Sequence, residues 1–406
     1  DSLHLVMYTI ISTLSQPLYV HGNNNYLSLG CDDSSFYNRF TSCKVSSPFD
    51  KVIYSKYQSL MLKDYKLYGA GTPQAYSLGS SYTFRKPARI PFFKNLPVKD
   101  FGVGTQHTIV LLNNLSVFTQ GNNQYGQLGR NGSTYPQMVN LSKIGVVKQV
   151  GAIQNLSYIV TTDNKIYVSG QCQNGLCAVS TEQNYKQFTA MDLPSGIAIQ
   201  KVFFFEFNLV IKTTSGVFYG IGRNYEGAMC TGSYTQNVYR FERLNIDSTV
   251  SKIVMNRNTT LLLNHNNDLK FCGDDESGGS EVYYPKYITF DGSITDIAVY
   301  NESWIVLNST GTYQMKRYDS GWTKINAQAG MTNVAAVEDG AVIYSYYTQG
   351  TVEHEEEYED EADTAIGITI TSFVVVQIIL MIVLICQCTK INRVKKAGVP
   401  KPVQNA

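Results

Sequence analysis

The sequence predicts an all-β fold, a seven-bladed β-propeller, followed by one C-terminal transmembrane α-helix. Three features predict it: a long-period repeat, a half-repeat at each end of the array, and an uncharged segment of 24 residues near the C-terminus. Aligned on an aromatic-Gly step, the copies read LYVHGNNNYLSLG, LYGAGTPQAYSLG, VFTQGNNQYGQLG, IYVSGQCQNGLCA, FYGIGRNYEGAM, LKFCGDDESGGSE and a decayed TYQMKRYDSGWTK. Their turn positions are Gly22, Gly71, Gly121, Gly170, Gly222, Gly273 and Lys316, spaced by 49, 50, 49, 52, 51 and 43 residues. A period of this length marks repeated supersecondary units, none of which buries its apolar face alone.

Each unit reads as an apolar strand, a short polar turn, a second strand and a Gly-rich loop. In the third, VKDFGVGTQHTIVLLNNLSVFTQGNNQYGQLG, the run TIVLL is continuous and LSVFTQG follows a two-Asn turn. Such runs bounded by Asn and Gly are strand and hairpin signals. SYIVTTDNKIYVSG, NLVIKTTSGVFYG, TTLLLNHNNDLKFCG and SWIVLNSTGTYQM repeat the pattern. Short strands at this spacing describe four-stranded sheets arranged radially. A horseshoe solenoid also repeats, and the ends discriminate between the two. Residues 333–347, NVAAVEDGAVIYSYY, match the first strand pair of a unit without its Gly-rich half, while TIISTLSQPLYVHG starts part-way into one. The fragments complement each other, as ring closure requires, whereas a linear array needs polar caps. The propeller is assigned to residues 1–348.

The chain has 406 residues, 43% hydrophobic and 16% charged, enough for a large core. Its net charge of +1 conceals a segregation: residues 353–363 hold eight acids, and residues after 364 hold five bases and no acid. No dense basic face of the kind that binds a phosphate backbone is present, which argues against nucleic acid as a partner. Residues 365–388, AIGITITSFVVVQIILMIVLICQC, are long enough to cross a bilayer once as a helix. A buried core helix is the competing reading, but core helices of this length are seldom uncharged all round. Lys390, Arg393, Lys395 and Lys396 follow at once. The positive-inside bias therefore expects residues 389–406 as a short cytosolic tail and the head outside the cell or in an endomembrane lumen. Residues 349–364 are read as an acidic stalk, extended by self-repulsion. Asp1 is preceded by no leader, as expected of a type I protein whose signal peptide has been removed.

Seven Asn-x-Ser/Thr triplets, at Asn114, Asn131, Asn140, Asn155, Asn258, Asn301 and Asn308, all precede the proposed span and are candidate N-glycosylation sites. Cys31, Cys43, Cys172, Cys177, Cys230 and Cys272 lie on the same side, an even number in a disulfide-permissive compartment. The local choice joins Cys31 to Cys43, Cys172 to Cys177 and Cys230 to Cys272, because distant pairs would exceed the ~7 Å limit on Cα separation. Cys386 and Cys388, at the cytosolic end of the span, are candidates for palmitoylation. Zinc lacks closely paired cysteines and histidines, and the cluster DDESGG at 274–279 lacks the alternating acids of a calcium loop, so no metal is expected. Gln377 is placed to hydrogen-bond a neighbouring membrane helix.

The third copy, with Gly102, Gly104, His107 and Thr108 followed by Gly121, Asn123, Gly126, Gln127, Leu128 and Gly129, resembles the repeat of the regulator-of-chromosome-condensation family. The resemblance spans residues 1 to about 348 and implies a seven-bladed propeller. The best-known members are guanine-nucleotide exchange factors for a small GTPase, while other such propellers are protein-binding or sugar-binding scaffolds. Only the third copy keeps the full GNNQYGQLG ending and the His, and the Trp that the family often places before the first loop glycine is absent. His107 is read as a core histidine hydrogen-bonded to backbone. The glycines are read as supplying positive φ and close blade packing.

No GxxxxGK[ST], HExxH or GxSxG motif occurs, and GVG at 102–104 is too short to be a dinucleotide fingerprint. No catalytic residue and no cofactor are expected. The expectation is a non-enzymatic single-pass type I membrane protein whose head binds protein, with a further contact through the membrane helix. It would serve as accessory subunit of a larger membrane complex, such as a transporter or proton pump, or as a surface receptor or adhesion module. The alternatives are a sugar-binding propeller and a guanine-nucleotide exchange factor. The exchange factor needs a cytosolic head and room for a wedge between blades, and the short spacings leave little.

Overall fold

The computed structural model describes residues 16–32, 34, 36–47, 49–179, 183–274, 281–300, 303–316, 321–326, 333–337 and 340–344. The proposed stalk (349–364), span (365–388) and tail (389–406), with Gln377, Cys386 and Cys388, lie outside the described residues, as do Asn301 and most of the 274–279 cluster. Among the described residues no helix is long and apolar enough to cross a membrane.

The described strands form seven four-stranded antiparallel sheets, an all-β propeller. Six blades are contiguous: residues 51–89, 98–138, 147–190, 199–243, 250–288 and 296–326, designated blades 2 to 7, each running in chain order across its sheet. Blade 1 takes strands from both ends, in the order Phe36–Ser47, Gln16–Asn23, Gly340–Tyr344, Asn333–Val337. Its seam pairs Tyr19, Val20, His21 and Gly22 with Ile343, Val342, Ala341 and Gly340. The half-repeats at the two ends thus share one sheet, and the ring closes without a free inner edge. Inner strands touch between blades 1 and 2, 2 and 3, 3 and 4, 4 and 5, 6 and 7, and 7 and 1.

Blade packing explains why the second strand of a unit is a continuous apolar run. In blades 3, 4, 6 and 7 that strand is buried at all six positions, because each face of the sheet is covered by a neighbouring blade. The cores accordingly lie between blades. Leu60, Leu67 and Ile90 of blade 2 meet Phe101 and Val110 of blade 3, and Tyr158 and Val168 of blade 4 meet Val202, Leu209 and Ile221 of blade 5. Outer strands such as Gln183–Ala190 and Glu281–Ile288 are largely exposed. Pro87 and Pro285 both fall in outer strands, where one face of the ladder needs no N–H.

The aromatic-Gly step that defines the repeat has a steric cause. Gly71, Gly121, Gly170, Gly222 and Gly273 have φ between +99° and +119°. A Cβ at these positions would stand 2.0 to 2.4 Å from a carbonyl oxygen in the blade's own first hairpin. The approach is needed, because that carbonyl accepts the amide of the residue after the glycine: Asn122 N–H to Gln106 O at 2.8 Å, and Gln171 N–H to Asn155 O at 3.1 Å. Only glycine allows both the backbone conformation and the contact.

Candidate functional site

Within the third unit, the motif residues turn inward. His107 is fully buried, its Nε2 lies 3.0 Å from Ser157 Oγ of the next blade, and Gly104 lies against its ring. Burial holds its pKa down to about 4, so the imidazole is neutral at physiological pH. The expected core role stands: the side chain meets a serine hydroxyl, and a backbone hydrogen bond at Leu156 acts on the imidazole as well. Thr108 donates to Ser77 O of blade 2 at 2.7 Å, and Gln120 donates to the same carbonyl at 3.0 Å. These residues knit blades together.

The Gly-rich loops are closed by a recurring bracket. Asn123 accepts the Leu128 amide at 3.0 Å and donates to Arg130 O at 2.9 Å. Asn24 and Asn224 do the same for Leu29 and Met229, both at 2.9 Å. In blade 4 the corresponding position is Cys172, and its disulfide to Cys177 spans the same five residues covalently. Cys31 is bonded to Cys43, tying the blade 1 loop to its outer strand, and Cys230 of blade 5 is bonded to Cys272 of blade 6. The three Cα separations, 5.3, 5.4 and 5.5 Å, fall within disulfide range. In blade 3, Arg130 replaces a crosslink with hydrogen bonds to Thr119 O, Ser133 O and Tyr135 O at 2.7 to 2.8 Å. Gly126 and Gly129, with φ of +89° and +63°, press on Lys186 and Phe188 of blade 4.

What remains for a partner is the surface. In a four-stranded antiparallel blade, the loops after the first and third strands leave at one end, so all the long Gly-rich loops share one face of the propeller. Tyr82, Tyr135 and Tyr234, on the loops of blades 2, 3 and 5, are 79%, 52% and 51% exposed. Tyr76 and Tyr135 join two of these loops through rings 4.7 Å apart. Arg223 lies 4.1 Å from the Tyr225 ring on the same face.

Three sequons, Asn114, Asn131 and Asn140, carry exposed side chains. Asn114 and Asn140 flank a shallow groove of about 340 Å³ at the face opposite the loops. Asn155 and Asn258 are half-buried in hairpin turns, and the Asn155 amide donates to Gln171 at 3.1 Å. Asn308 is buried, and its Oδ1 accepts from the Thr310 amide and hydroxyl and the Gly311 amide. No group of three or more potential metal ligands occurs among the described residues.

One set of polar residues was missed in the sequence. Lys51, Asp100, Gln149, Lys201, Lys252 and Asp296 stand at matching positions near the start of the inner strands of blades 2 to 7. In blades 3 to 6 a register shift immediately precedes the residue, and such a bulge re-aims a side chain. Lys51 reaches Asp100 Oδ1 at 2.5 Å and Phe101 O at 2.9 Å in the next blade. Asp100 accepts the Val150 amide at 3.1 Å, Gln149 donates to Val202 O at 2.7 Å and accepts its N–H at 3.2 Å, and Lys252 pairs with Asp296. Their spacings of 49, 49, 52, 51 and 44 residues follow the glycine period and were the available signal.

No family model matches the chain. It is 26% identical over 226 residues to an RCC1 repeat-containing protein of Dictyostelium discoideum, covering 50% of this chain and 46% of that protein. It is 26% identical over 147 residues to guanine nucleotide exchange factor SRM1 of Saccharomyces cerevisiae, covering 34% and 30%. In fold it is similar to human WBSCR16, with a TM-score of 0.64 at 17% identity, over 82% of this chain and 100% of that one. Yeast Prp20p gives 0.55 at 14% identity, over 82% and 92%. The chain is an RCC1-like propeller. It spans about half or less of the curated relatives it matches, and the structural likeness concerns the fold alone.

Proposed function

We propose that this RCC1-like propeller is the protein-binding head of a single-pass type I membrane protein, held by its C-terminal helix and acting without catalysis. The observation that carries a binding role is the loop face: His107 and Thr108 of the repeat motif are engaged inside the ring, while tyrosines from three blades are exposed on one face. Tyrosine and arginine are the residues most enriched at protein-binding hot spots. The membrane part is supported by the uncharged run at 365–388 and the basic residues after it. A stable assembly, as accessory subunit of a transporter or proton pump, is one form of this reading. A receptor or adhesion module is the other form of the same reading.

Mild-detergent purification of the native chain tests it. A subunit is expected to stay with its complex, and Tyr82→Ala with Tyr135→Ala and Tyr234→Ala to release it. A folded chain that elutes at its own mass under every extraction condition, with the triple variant unchanged, would overturn the subunit form and favour the receptor form. Two rival readings have their own supports. Exposed tyrosines also stack on sugar rings, and a glycan array probed with the intact chain is expected to be blank. The likeness to SRM1, named as an exchange factor, favours a GTPase partner. Protease digestion of the head from the cytosolic side of sealed vesicles would favour that role over the lumenal one.

A further inference from the structure

Of Lys51, Asp100, Gln149, Lys201 and Lys252, Lys201 alone makes no bond to the next blade among the described residues, and the junction of blades 5 and 6 is bridged from the second strand instead, by Lys212 Nζ on Val250 O at 2.9 Å. Lys201, on blade 5, has no hydrogen-bond or ion-pair partner among the described residues; its Nζ lies 4.9 Å from its own blade's Phe203 ring. The matching residue on blade 6 is Lys252, a like charge already turned to Asp296. Lys51 and Lys212 also act electrostatically on Lys201, and the acid within reach, Asp100, is bonded to Lys51 and the Val150 amide. The six residues thus hold three lysines against two aspartates. Phe203 and Phe205 extend the strand beyond Lys201 with parallel rings 6.2 Å apart.

We propose that the mouth of the central channel is an oxyanion-binding site, in which Lys201, beside Lys252, takes the phosphate of a small ligand. Elsewhere in the ring a carboxylate or an amide answers the neighbouring blade; in blades 5 and 6 both matching residues are lysines, and an oxyanion supplies the missing charge. Lys201 is exposed to solvent, so a ligand has access. Although the residue as a whole is exposed, desolvation of its ammonium, and after it the neighbouring lysines, hold the group below the usual lysine range, and an anion would counter the second of these. The inference is independent of the membrane reading.

Titration calorimetry on the full chain in detergent, at constant ionic strength, uses inorganic phosphate and phenyl phosphate as probes. Saturable binding is expected, weakened at least tenfold in Lys201→Met and retained in Lys201→Arg and in Lys165→Met, whose lysine pairs with Asp163 on an exposed turn. Tighter binding of phenyl phosphate would identify an organic phosphate whose body lies on Phe203; equal or tighter binding of inorganic phosphate would identify the free ion. Circular dichroism confirms that each variant is folded. Indistinguishable isotherms for wild type and Lys201→Met, or no saturable binding of either probe, would overturn the site.

Discussion

His107 shows how a residue that reads as chemistry becomes architecture. Its imidazole takes a proton only near pH 4 in the folded chain, against about 6.5 when unfolded. Between those values the unfolded state binds more protons, so the stability present above about pH 6.5 is lost as pH falls toward 4, by up to about 3 kcal/mol. His107→Gln keeps a polar group opposite Ser157 and removes the titration. Urea midpoints measured at pH 7 and pH 4.5 are expected to fall less in the variant than in wild type. The sequons divide at the same scale. Glycopeptide mapping is expected to find sugar on Asn114, Asn131 and Asn140 and none on Asn308, whose amide oxygen already holds the following turn. Glycan on Asn308 would mean that this turn opens.

At the level of the element, the Gly-rich loop is one device executed in two chemistries. Asn24, Asn123 and Asn224 each hold the amide five residues on, and Cys172 holds Cys177 at the same separation. The hydrogen-bonded bracket stabilises by order 1 kcal/mol, the disulfide by about 2 to 4 kcal/mol. Replacing both cysteines with alanine is therefore expected to lower stability by about 2 kcal/mol, and Cys172→Asn with Cys177→Leu to recover part of it. Equal losses in the two double variants, measured by urea unfolding, would show that the brackets are not interchangeable.

Over the whole molecule, stability depends on closure. Blade 1 is assembled from strands more than 300 residues apart in the chain, and its inner pair covers the open sides of blades 2 and 7. A chain ending after Asn326 leaves Gln16–Asn23 with an unpaired edge and removes the inner strand that touches Asp296–Tyr300. It is expected to lose the single cooperative thermal transition and to aggregate, through exposed edges and uncovered apolar faces. A monomeric product with one sharp transition would show that closure is dispensable.

Period, composition and local spacing determined much by themselves. The spacing of Gly71, Gly121, Gly170, Gly222 and Gly273 is legible because a carbonyl must approach where any Cβ would collide, so the same residue recurs wherever the backbone does. Ring closure was legible from complementary half-repeats, and the cysteine pairs from their nearness in the chain. The tertiary structure alone decided which polar residues are occupied. His107, Thr108 and Asn123 are polar in the sequence and internal in the ring, because their partners belong to neighbouring blades or to loop amides. Lys51, Asp100, Gln149, Lys201, Lys252 and Asp296 each stand near the start of a largely apolar strand, four of them beside another polar residue of that strand, with nothing local to link them. Their relation arises between blades some fifty residues apart, where ion pairing and charge mismatch depend on which side chain the next blade presents.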